Sequence, residues 1–150
     1  MCKFYSAIVM YNGDIFHNPF TTNHEDLIEE FNIRDNGQDK FIRVEYSPEN
    51  RNLSDLNSYK LKIDASYIPE WFEKYKQQTI DRLHTIVSRM IITTDKKLIC
   101  GQAVILAESA NITKIKSCLV YEMYDSSVVQ KMYDSSVVQE MYDSSQSPKK

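Results

Sequence analysis

The sequence predicts an α+β fold: a small antiparallel sheet with two helices, followed by a short parallel β-solenoid or β-roll. Two observations carry this. The first 97 residues read in the order β-β-α-β-β-α, and from about residue 110 the chain repeats with a period of nine. The predicted divisions are a head over 1–97, solenoid repeats over 98–145 and a disordered tail over 146–150.

Lys3 to Met10 (KFYSAIVM) alternates as a strand, and apolar residues on both sides suit a central position in a sheet. Asn12-Gly13 follows and predicts a hairpin with positive φ at both residues. Asp14 to Phe20 is the return strand, which Pro19 ends or confines to an edge. Thr22 and Glu25 match a capping box, with Thr22 as N-cap, and Leu27, Ile28 and Phe31 give the short helix one apolar face. Asn32 to Lys40 is a loop around Asn36-Gly37.

Phe41 to Tyr46 is the next strand and Ser47 to Asn57 a loop. Tyr59, Leu61 and Ile63 alternate with charged residues as a half-buried strand. Pro69 suits the first turn of a long helix over 69–90, in which Phe72, Tyr75, Thr79, Leu83, Ile86, Val87 and Met90 recur at helical spacing. Thr93 to Lys97 is a polar break. Leu98 to Leu106 is a buried strand or two, and QAVILAES could be a cryptic first rung.

The remainder aligns as ANITKIKS, CLVYEMYDS, SVVQKMYDS, SVVQEMYDS and SQSPKK, the first block one residue short. Small residues lead each block (Ala110, Cys118, Ser127, Ser136), aliphatics stand third, and Ile or Met stands sixth. Tyr-Asp-Ser supplies the turn, because Asp and Ser side chains bond nearby backbone. Short units at fixed period bury their apolar face only against neighbours, as in a solenoid. Val-Val with Asp-Ser-Ser disfavours a helix, and recurring Val and Met are not a disorder composition.

Composition excludes several classes. Residues 1–109 hold 13 basic and 16 acidic side chains, and residues 110–150 hold five of each. Neither part has the basic surplus of a dedicated nucleic-acid binder. No apolar run approaches transmembrane length, and the N-terminus lacks a secretory signal pattern. Cys2, Cys100 and Cys118 are odd in number and widely spaced, which argues against a disulfide framework or a structural zinc site and suits a reducing compartment.

Four residues invite a catalytic reading. Cys2 would carry both a thiol and a free amine after loss of Met1, the arrangement of an N-terminal nucleophile. A buried, inert cysteine at a strand start is the simpler account. Asp14, His24 and Glu25 offer acid–base groups or metal ligands around the hairpin. Their spacing fits no metal motif, and the cap already explains Glu25, with His24 exposed beside it. Trp71 opens the long helix as a core anchor or binding patch. Tyr124, Tyr133 and Tyr142 would stack along one edge of a solenoid as a protein-binding ladder. The Asp row at Asp125, Asp134 and Asp143 matches a calcium β-roll only in period, and this segment lacks the glycines such a roll needs. No cofactor and no metal site is predicted.

The opening CKFYSAIVxxNGDI, the segment Thr22 to Ile28, IPEWF at Ile68 to Phe72 and the MYDSSVVQ repeats resemble a group of small bacteriophage and prophage proteins. That group pairs an α+β head with a variable number of nonapeptide rungs, so the resemblance covers most of the chain. It implies a phage origin and action in the cytoplasm of an infected bacterium. It transfers no reaction and no catalytic residue. The expectation is an accessory protein that binds a host or phage protein or nucleoprotein complex, for example to inhibit a bacterial defence system. A small hydrolase or transferase using Cys2 and His24, and a structural virion component, are the alternatives. The last rung leaves a strand edge covered only by QSPKK, so a homodimer through that edge is also expected.

Overall fold

A computed structural model describes residues 4–34 and 40–148. It shows the α+β class with a C-terminal β-solenoid. The chain divides into two compact units, Met1–Val87 and Ser88–Lys150. The division falls at Ser88 rather than near Leu98, because Ile91–Ile92 already pairs with the solenoid strands.

In the first unit, strands β1 (Ser6–Met10), β2 (Ile15–Phe16), β3 (Phe41–Pro48) and β4 (Tyr59–Ile63) form an antiparallel sheet in the order β2-β1-β3-β4. β1 is central, as its two-sided apolar pattern requires, and Tyr5, Ala7, Ile8 and Val9 are buried. The hairpin differs from expectation: only Gly13 has positive φ, at 93°. Asn12 instead folds its side chain onto the Asp14 N–H at 3.0 Å, so the turn needs only one left-handed residue. β2 is correspondingly short.

Helix α1 (His24–Glu30) is capped by Asn23, not Thr22, whose neighbour Thr21 instead donates to Asp26. The Asn23 carboxamide accepts from the Glu25 N–H at 3.0 Å, and Glu25 turns outward to Arg43 at 2.9 Å. Helix α2 (Phe72–Met90) begins at Phe72, after a turn in which the Phe72 N–H donates to the Pro69 carbonyl. Phe72, Thr79, Leu83, Val87 and Met90 form its buried face. Tyr46 shares a 2.9 Å hydrogen bond with His84 Nδ1, and the Tyr75 ring packs at Gly13, which holds α2 on the sheet.

The second unit contains β5 (Ile91–Ile92), β6 (Lys96–Cys100), β7 (Ala103–Leu106), β8 (Asn111–Lys116), β9 (Leu119–Met123), β10 (Val128–Tyr133) and β11 (Val137–Met141). They alternate between two parallel sheets, β10-β8-β6 and β11-β9-β7-β5. Each nonapeptide is therefore one strand and one corner, and two make a coil. β9 pairs with β11 at an offset of 18 residues, whereas β8 pairs with β10 at 17 because the first block is one residue short. Ile99, Val104, Leu106, Ala110, Ile112, Ile115, Cys118, Val120, Met123 and Val129 fill the core between the sheets. The small, third and sixth positions of the blocks thus face inward, except that Met141 of the last full block stands exposed. Lys96 lies within β6 rather than in a polar break. Gln146, expected in the tail, bridges to Val128 and starts a further coil.

Candidate functional site

The corners of the solenoid determine which side chains reach its surface. Asp125, Asp134 and Asp143 all have positive φ, near 55°. Aspartate tolerates this conformation better than most residues. In each Tyr-Asp-Ser-Ser corner the last serine hydroxyl donates to the tyrosine carbonyl, at 2.8 Å for Ser127 and Ser136 and 2.7 Å for Ser145. Asp125 also accepts from the Glu108 N–H of the preceding coil at 3.0 Å, and Asp143 from the Asp125 N–H at 3.1 Å. Asp125 and Asp143 thus form a ladder of corner caps, while Asp134 lies 3.9 Å from Lys116 Nζ.

This geometry splits the tyrosine row. Tyr124 and Tyr142 stack at 5.2 Å with an interplanar angle of 10°. Tyr133 belongs to the opposite sheet and joins no such stack, because successive repeats alternate between sheets. The single three-residue ladder expected from the sequence is corrected to one stacked pair and one separate, exposed ring.

Beneath the stack, Glu122 pairs in register with Glu140. Glu122 is half-buried and its Oε2 has no hydrogen-bond partner. Burial first, and then the Glu140 charge, push its carboxyl up to about 7. The Tyr142 hydroxyl donates to Glu140, and this bond contributes most to holding the phenol up at about 12.

The coil that ends the described solenoid leaves β11 with β9 as its one neighbour in the sheet. Val137 is 38% exposed, Met141 42%, Tyr142 41% and Tyr133 45%. The Val137 N–H donates to the Cys118 carbonyl just before β9 and the Tyr142 N–H to Met123 of β9, so strand alternation turns the backbone groups of Val138 and Met141, next to them, to the open side. Apolar anchors and unpaired backbone therefore share one edge.

The sequence-predicted catalytic residues do not assemble as a group. Cys2 lies outside the described residues. Asp14 sits in the hairpin turn, accepting from the Asn12 carboxamide at 3.0 Å, beside a shallow concavity lined by Gln78 and Arg82. Glu25 is exposed in its ion pair with Arg43. His24 is 1% exposed, not surface-lying, because it tucks under β3 with Nε2 on the Val44 carbonyl at 2.8 Å. Trp71 is half-buried and packs edge-on against Phe72 at 6.2 Å. His17 hydrogen-bonds the Tyr5 hydroxyl at 2.7 Å, and burial, then the Arg82 charge, lower its pKa.

Sequence reasoning missed Glu45 and Asp64, which meet His24 in space. Glu45 follows Val44 in β3 and Asp64 follows β4. The one available signal was a charged residue within the apolar FIRVEY strand.

No helix among the described residues is long and apolar enough to cross a membrane. No protein-family model matches the chain, and no curated protein and no solved structure matches it.

Proposed function

We propose that this protein acts by binding another protein through the terminal coil of its solenoid. The observation that supports this reading is the edge of β11, where Val137, Met141 and Tyr142 stand exposed beside unpaired backbone. Such an edge accepts an added strand, with main-chain bonds supplying affinity and side-chain anchors supplying specificity. Aromatic and methionine side chains are the anchors that protein interfaces favour.

The resemblance to phage proteins directs the search for that partner to an infected bacterium, where a component of a defence system is the target this reading favours. The same edge could also pair with a second copy of the chain. Affinity purification of the tagged chain from infected cells, beside a Val137→Lys/Met141→Lys variant, tests the reading. Both positions are already exposed, so the variant should keep its fold. A bacterial protein recovered in stoichiometric amount with the parent and lost with the variant is the expected result. Equal recovery with both, or with neither, counts against it.

A further inference from the structure

The head holds a side-chain cluster that strand addition does not use. His24 opens α1, and its Nε2 lies 2.8 Å from the Val44 carbonyl oxygen. A carbonyl only accepts, so Nε2 carries the hydrogen and donates. A neutral ring then presents an unprotonated Nδ1. That nitrogen lies 3.7 Å from Oδ2 of Asp64. A carboxylate oxygen of Glu45 completes a triangle whose three atoms all lie within 4.8 Å of one another.

Glu45 is 7% exposed and His24 1%, so two of the three electron-pair donors sit largely out of water. A backbone carbonyl fixing one ring nitrogen while the other faces carboxylates is the outer-shell arrangement of metal-binding histidines. One imidazole and two carboxylates suit a first-row divalent ion with positions left for water. Zinc binds such donors at about 2.0–2.2 Å, so any two ligand atoms lie at most about 4.4 Å apart. The Asp64 side chain is 57% exposed, so a small inward swing closes the remaining gap.

We propose that His24 Nδ1, Glu45 and Asp64 bind a divalent transition-metal ion of the zinc class. The site lies where the first turn of α1 meets β3 and the residue that follows β4. Its ligands come from three elements, so the folded head brings them together.

Calorimetric titration of the chelator-treated full chain with zinc chloride tests the site. One ion should bind per chain, and Asp64→Asn should weaken binding about tenfold or more while leaving the melting temperature in chelator unchanged. Glu25→Gln, outside the cluster, should bind as the parent does. Zinc should shift the His24 ring resonances and leave those of His17 and His84 in place. Equal affinity in Asp64→Asn would locate the ion elsewhere, for example at exposed Cys100, and overturn the assignment. A silent titration with a lowered melting temperature in Asp64→Asn would reduce the cluster to an ion pair and also overturn it.

Discussion

Tyr124 and Tyr142 stack face to face at 5.2 Å, although a third tyrosine of the same repeat row lies between them in sequence. The pairing places neighbouring coils two repeats apart. Adjacent parallel strands run about 4.8 Å apart, within the Cα range of a disulfide. In a Cys100→Ser background, Tyr124→Cys with Tyr142→Cys should therefore cross-link under mild oxidation. Tyr124→Cys with Tyr133→Cys should not. Mobility on a non-reducing gel reads the result, and equal cross-linking of both pairs would contradict the two-repeat coil.

The corner aspartates should tolerate asparagine better than alanine. Asp125 combines a positive φ with a cap on the Glu108 N–H. Asparagine adopts the left-handed conformation readily and keeps an acceptor oxygen; alanine provides neither advantage. Asp125→Ala should cost about 1–2 kcal/mol and Asp125→Asn less than half of that, by urea denaturation.

Glu122 should make the solenoid less stable as pH rises. Its carboxyl is pushed up to about 7 in the folded chain, above its ordinary value near 4.5. A raised carboxyl binds its proton more tightly when folded. Its contribution is therefore complete below the unfolded value and lost as pH climbs through about 7. The full conversion would be about 3 kcal/mol, and solvent screening of a half-buried group leaves about 1–2 kcal/mol. Melting curves between pH 4 and 8 should show this decline, and Glu122→Gln should flatten it.

Gly13 should be the less replaceable of the two described glycines. A Cβ there would lie 2.7 Å from the Tyr75 ring, at a φ of +93°. At Gly101 the φ is +63° and nothing lies within 4 Å. Gly101→Ala should cost about 1 kcal/mol from backbone conformation alone, and Gly13→Ala about 1–3 kcal/mol more as Tyr75 is displaced. Urea titrations of the two variants give the comparison directly.

Local pattern carried most of the architecture. The alternation in KFYSAIVM and YKLKI, the helical spacing from Phe72 to Met90 and the inward positions of each nonapeptide are short-range signals. The elements they predict are present. What escaped was long-range. A nine-residue repeat reports a strand and its corner, whereas the number of corners per coil depends on how the chain closes on itself. β5 and β6 lack the repeat, so their membership in the solenoid rests on pairing with β7 and β8. Glu45 and Asp64 approach His24 only through the register of β3 and β4, which no local spacing encodes.

The central claim is that the open β11 edge binds a partner. Hydrogen exchange of the chain, alone and in the complex recovered from infected cells, tests it most directly. The account predicts slowed exchange at the Val138 and Met141 amides on partner binding, with those of Val137 and Tyr142, already bonded to Cys118 and Met123, little changed. Protection confined to the head, with the β11 amides unaffected, would contradict it.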